Sequence, residues 1–158
     1  MGLLKRTSVG MEIDSKEIRV VYAEGTADKP VPCTFARYPL PDGIVRDGRV
    51  VNAAELGAAI TALWAKEGIK SRNVILGINN QDVIIRFAVV PALPKDKLHN
   101  LIHYQSTDYI PIPIHEIELD YSIIGETSSN AGNAFKLLLV AGRKNMLYDF
   151  IEALEAAK

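Results

Sequence analysis

The chain has 158 residues, 48% hydrophobic and 23% charged, which is enough apolar material for one globular domain or two small ones and excludes a disordered tail. Its 18 basic and 19 acidic residues leave a formal net charge of −1, so no global field recruits nucleic acid or anionic lipid. Cys33 is the single cysteine, which excludes an internal disulfide and a multi-cysteine zinc site and fits a reducing compartment.

The opening Met1-Gly2-Leu3-Leu4-Lys5-Arg6-Thr7 lacks the long apolar core of an export signal, and no apolar run reaches the roughly 20 residues of a spanning helix. The expectation is a chain neither exported nor embedded. Residues 9–13 and 18–23 read as two short strands joined by polar Asp14-Ser15-Lys16-Glu17, a hairpin. Residues 25–32 read as a loop and 33–40 as a third strand, before Pro41-Asp42-Gly43 turns the chain.

Asn52 offers a helix cap with Glu55 three residues on. Leu56, Ala59, Ile60, Leu63 and Trp64 then share one face until Gly68 ends the helix. Residues 74–78 follow as a strand of the buried type. Asn79-Asn80-Gln81-Asp82 is a polar break, an internal boundary, before a second apolar strand over 83–90. A helix is expected over 95–109, with Leu98, Leu101, Ile102, Gln105 and Tyr109 on a shared face.

Pro111 and Pro113 end that helix, because proline fixes φ and removes a backbone donor, and they force an extended crossover. Strands are expected over 118–125 and 135–142, separated by a Ser-, Asn- and Gly-rich stretch at 127–133, with a final amphipathic helix over 146–157. The fold class is mixed α/β.

Five pieces carry a resemblance: the opening hairpin, Gly43-Ile44-Val45-Arg46-Asp47-Gly48, Val83-Ile84-Ile85-Arg86 running to Pro91, the passage from Tyr109 through Pro111 and Pro113 to Tyr121, and the closing strand and helix. In this order they resemble the type IV pilus assembly protein PilM family of the actin-like superfamily, related to the cell-division protein FtsA. The resemblance implies that 1–81 form part of the actin-like (ribonuclease-H-like) subdomain 1A sheet. It implies that 82–158 form the inserted small subdomain 1C, strand-helix-strand-strand-helix. Family members continue past the closing helix into the rest of a nucleotide-binding fold, whereas this sequence stops at Lys158, as a fragment or a shortened relative.

Actin-like ATPases hold ATP and magnesium with a hairpin of the form Asp-x-Gly-Ser-x-Ser-x-Lys. Laid on this chain, the aspartate position falls on Glu12, the glycine on Asp14, the serines on Ser15 and Glu17, and the lysine on Arg19. Glu12, Asp14, Ser15 and Arg19 are therefore the vestigial nucleotide residues. The carboxylates of Asp14 and Glu17 repel the polyanion such a loop cradles, so no cofactor and no catalytic residue is expected in this chain. A solvated hairpin turn is the plainer reading of the same residues.

His99 and His103 stand at i and i+4, a metal-binding spacing, with His115 a conceivable third ligand. Asn100 occupies the position where a zinc hydrolase needs its glutamate, so no metal site is assigned. The apolar strand at 83–90 reads either as buried or as one wall of a groove between the subdomains that takes a short peptide. The resemblance implies that such a groove holds the cytoplasmic N-terminal peptide of a PilN-like inner-membrane protein, with Ile84, Arg86, Tyr109 and Ile110 as groove residues.

The implied function is a cytoplasmic adaptor of type IV pilus biogenesis, peripheral to the inner membrane through its partner, with self-association covering leftover apolar faces. The alternatives are a fragment of an active actin-like ATPase and an FtsA-like cell-division or type II secretion adaptor.

Overall fold

The computed structural model describes residues 6–26, 29–129 and 132–157. The readings placed on 1–5, 27–28, 130–131 and Lys158 lie outside these. The chain divides into two compact units, the first of 1–80 with 148–158 and the second of 81–147.

In the first unit, β1 (Arg6–Ile13), β2 (Glu17–Thr26) and β3 (Lys29–Pro39) form an antiparallel meander, and β6 (Val74–Gly77) pairs parallel with β1, giving the order β3-β2-β1-β6. Alternation sends Val9, Met11 and Ile13 of β1 and Ile18 and Val20 of β2 to one buried face. With Leu56, Ile60 and Leu63 of helix α1 (Ala53–Glu67) these residues supply the unit's core. Asn52 caps α1 as expected: its Oδ1 accepts from the Glu55 amide at 3.1 Å and its Nδ2 donates to Glu55 Oε1 at 2.9 Å. Gly68 ends the helix in the left-handed region at φ 65°.

Two strands run further than the sequence suggests. The expected loop at 25–32 belongs mostly to the ladder, since Gly25 pairs with Pro30 and Thr26 with Lys29 after a register shift at Tyr22/Ala23. The shift absorbs an extra residue, which lets the hairpin lengthen. A small hairpin, β4 (Val45–Arg46) with β5 (Arg49–Val50), also forms around Asp47 and Gly48, both at positive φ (52° and 72°). The Asp-Gly pair is its sequence signature. Gly48 has a second constraint, because a Cβ there would meet Asn80 Cβ at 2.8 Å.

In the second unit, β7 (Val83–Pro91), β8 (Ile117–Ser129) and β9 (Gly132–Arg143) form an antiparallel sheet in the order β7-β9-β8. Leu137 and Leu139 of β9, Ala88 and Val90 of β7, and Leu98 and Ile102 of helix α2 (Lys95–Tyr104) form one apolar cluster. Ile110, Ile112, Ile117 and Ala141 form a second. The single helix expected over 95–109 is broken at Gln105 (φ −91°, ψ 8°) and restarts as α3 (Ser106–Tyr109). Buried Ser106 sits at the break, its Oγ donating to the His103 carbonyl at 2.9 Å. The crossover is extended on either side of a 3-10 turn at Ile114–Glu116.

The closing helix α4 (Lys144–Ala156) is divided between the units, its residues from 148 onward grouping with the first. There Gly57 of α1 lets α4 approach closely: a Cβ on it would meet the Ala153 carbonyl at 2.9 Å and Ala156 Cβ at 2.8 Å.

Candidate functional site

Two regions hold the residues singled out from sequence. Glu12, Asp14, Ser15 and Arg19 come together around the β1–β2 turn. Asp14 Oδ1 accepts from the backbone amides of Lys16 at 2.7 Å and Glu17 at 3.0 Å. Asp14 Oδ2 receives Arg19 Nη2 at 2.9 Å. The rest of the guanidinium lies between two further carboxylates, with Nε 3.4 Å from Glu12 and Nη1 3.5 Å from Glu17, whose other neighbour is Arg37 at 3.8 Å.

The register explains the cluster, because Glu12 pairs with Arg19 across β1–β2 and Arg19 with Arg37 across β2–β3, all on the face opposite the core. Consecutive turn amides are the donors that a phosphate loop offers to an anion, and here the chain's own carboxylate takes two of them. The Lys16 amide chiefly holds the Asp14 carboxyl below its ordinary value; burial opposes this, and the Glu17 amide and Arg19 add to the lowering. Next to the turn, Lys16 Nζ reaches Asp42 at 2.9 Å, which raises the lysine and lowers the aspartate through their shared hydrogen bond.

The face that carries this cluster is open. Gly10, Val21, Phe35 and Ile75 stand beside the charged row and line, with Glu12, Arg19 and Arg37, a shallow cavity of about 670 Å³. Ile75 is 70% exposed, so β6 has one open face and is not the fully buried strand its composition suggests.

The other region lies in the second unit. Ile84 and Tyr109 pack half-buried against the cluster of Ile110, Ile112, Ile117 and Ala141. Arg86, two residues along on the same side of β7, is exposed, and its Nη1 donates to the Ile85 carbonyl at 2.9 Å. Ile110 is wholly buried. It packs in the core and offers no exposed surface, unlike Ile84, Arg86 and Tyr109. Arg143 braces this region, its backbone amide bonding the Asp82 carbonyl at 3.2 Å and its guanidinium reaching Asp82 and Glu116 at 3.6 and 3.5 Å.

Sequence reasoning missed the outer side of β7, where Ile85, Phe87 and Val89 are all more than half exposed. The signal was period two: only one alternating set of an edge strand reaches the core. His99 and His103 lie side by side on α2 with ring centroids 4.4 Å apart and planes tilted by 47°, and Tyr121 lies 6.4 Å from His99. No group of three metal-ligating side chains forms among the described residues.

The family model of type IV pilus assembly protein PilM matches residues 10–158. The chain is similar to one in a solved PilM-PilN type IV pilus biogenesis complex, at 25% identity and a TM-score of 0.80, over 95% of this chain and 44% of that one. It also resembles the cytoplasmic domain of EpsL, an inner membrane component of the type II secretion system of Vibrio cholerae. There the identity is 13% and the TM-score 0.53, over 96% of this chain and 53% of that one, a likeness of fold alone. The chain thus spans about half the length of these relatives and has the mixed α/β, actin-like fold that the sequence resemblance implies.

Proposed function

The chain belongs to the type IV pilus assembly protein PilM family, and on that premise we propose that it is a binding adaptor of pilus biogenesis. Its ligand is the cytoplasmic N-terminal peptide of a PilN-like inner-membrane protein. The observation that carries the partner is the match, over 95% of this chain, to a chain of a PilM-PilN complex. Ile84 and Tyr109 offer apolar surface beside the exposed guanidinium of Arg86, a combination suited to an apolar peptide with a carbonyl or carboxylate to anchor. The adaptor works at the cytoplasmic face and reaches the membrane through that partner; no helix among the described residues is long and apolar enough to cross one.

Binding without nucleotide turnover is the second element of the proposal. The Asp14 carboxylate occupies the Lys16 and Glu17 amides, and three carboxylates surround Arg19, so those two amides are not free for a phosphate and the turn has no net positive charge to attract one.

Calorimetric titration of the chain with the N-terminal peptide of the PilN-like protein encoded beside it tests the reading. Saturable binding that weakens about tenfold or more in Arg86→Glu is expected, since the change reverses a charge at the contact. Binding unchanged in Arg86→Glu removes the site assignment; no binding removes the partner. A nucleotide hydrolase completed by further subdomains of a longer protein is the second reading, favoured by the open cavity beside Glu12 and Arg19. Magnesium-dependent ATP turnover by that longer protein, lost in Glu12→Gln, would establish it.

A further inference from the structure

In the first unit the connection from α1 to β6 is tied down along its length. The Ile69 amide bonds the Trp64 carbonyl at 3.1 Å, Trp64 Nε1 donates to the Ser71 carbonyl at 3.0 Å, Ser71 Oγ donates to the Thr7 carbonyl at 3.4 Å, and the Val9 amide bonds the Asn73 carbonyl at 3.0 Å. Ile69 and Ser71 are buried, and the exposed Lys70 and Arg72 alternate with them. Both cations line one cavity, and neither side chain makes an ion pair or a hydrogen bond with a described residue.

The cavity holds about 740 Å³, within the roughly 300–1,000 Å³ of small-molecule sites. Its walls are Ile60, Trp64 and Ala65 of α1, Ile69 of the connection, Val74 of β6 and Leu154 of α4, and no carboxylate lines it. Thr61 Oγ1 already donates to the Gly57 carbonyl at 2.9 Å and the Trp64 indole N–H is taken by Ser71. The lining side chains therefore offer two uncompensated cations, donors only, beside an apolar wall. The apolar wall alone would not say what fills it, but the cations do, because charge complementarity asks for an anionic head on an apolar body. A peptide would also bring amides that need acceptors, whereas a hydrocarbon chain brings none.

We propose that this cavity is a binding site for a small amphipathic anion, a hydrocarbon body ending in a carboxylate or a phosphate monoester. The body lies against Ile60, Trp64 and Val74, and the head is held by Lys70 and Arg72. The proposal is independent of the peptide-binding reading, whose residues Ile84, Arg86 and Tyr109 belong to the second unit.

Trp64 is the only tryptophan of the chain and lines the cavity, so its emission reports on this site. The 158-residue chain is titrated with decanoate, decyl phosphate and uncharged decanol, each below its micellar concentration. Both anions should shift the Trp64 emission to the blue with saturation, and decanol should bind about tenfold or more weaker; the tighter of the two anions names the head group. Lys70→Glu with Arg72→Glu should weaken the anions about tenfold or more and leave decanol unchanged, while Ala65→Leu, which narrows the cavity, should weaken all three. No saturable change in emission, decanol as tight as decanoate, or anion binding indifferent to the double charge reversal would overturn the proposal. If circular dichroism shows the double reversal to be misfolded, Lys70→Gln with Arg72→Gln decides by the same comparison of anion with alcohol. PilN-like peptide binding retained in the double variant separates this cavity from the adaptor site.

Discussion

The β1–β2 hairpin of the first unit and β7 of the second each send one alternating set of side chains into a core, and they differ in what the other set does. At the hairpin the outward groups engage one another: Glu12, Asp14 and Glu17 share Arg19, whose buried Nε lacks a hydrogen bond, and Asp14 also takes two turn amides. On β7 the outward groups are Ile85, Phe87 and Val89, which nothing within their own unit covers. A turn whose amides are already taken by its own carboxylate has fewer donors for a ligand, while uncovered apolar surface gains free energy from whatever buries it. Sequence resemblance points to the first region as a ligand site, and its geometry is the less receptive of the two.

The largest expected effect separates the two faces of the second unit's sheet. Leu139, fully buried and paired with Arg86, should cost about 2–5 kcal/mol as Leu139→Ala, whereas Phe87→Ala should stay within about 0.5 kcal/mol. Urea denaturation reads both; a comparable loss in Phe87→Ala would mean that β7's outer face is already covered. Next, Gly57→Val in the first unit should destabilise by roughly 1–3 kcal/mol, because the new Cβ meets Ala153 and Ala156 of α4. A neutral result would detach the end of α4 from that core.

Smaller again is Asp14→Ala, which releases two turn amides and Arg19. With the side chain 42% exposed, solvent limits the loss to about 1 kcal/mol in thermal or urea unfolding. The smallest effect is in its pH dependence. Because folding lowers the Asp14 pKa, the ionised carboxyl's contribution is complete above the unfolded value of about 3.9 and is lost as the pH falls through the lower folded value. The stability gap between wild type and Asp14→Ala should therefore be constant from pH 7 to about 5 and narrow below about 4. A gap unchanged at pH 3 would show that charge plays no part in the cap.

Much of this was legible from residues alone where local chemistry decides the outcome. Asn52, Glu55 and Gly68 bound α1 as capping rules require, and Asp14-Ser15-Lys16 turns the opening hairpin. Where tertiary pairing decides, the sequence said less. The polar residues around 25–32 and 127–133 look like loops, yet long hairpins carry β2, β3, β8 and β9 into both stretches. The break at Gln105 depends on burial of Ser106, which no propensity reveals. Among the site residues, Ile110 lies in an apolar passage, where only packing distinguishes a core residue from a groove residue. The exposure of β7 was hidden for the same reason: an apolar run gives no sign of how many faces are covered.

The most direct test of the central claim is an amide NMR titration of the 158-residue chain with the PilN-like peptide and, separately, with Mg-ATP. The account predicts peptide-induced shifts around Ile84, Arg86 and Tyr109, with the Lys16 and Glu17 amides unmoved by ATP because Asp14 already holds them. ATP-dependent shifts at Lys16 and Glu17, with no response to peptide in 81–147, would contradict it.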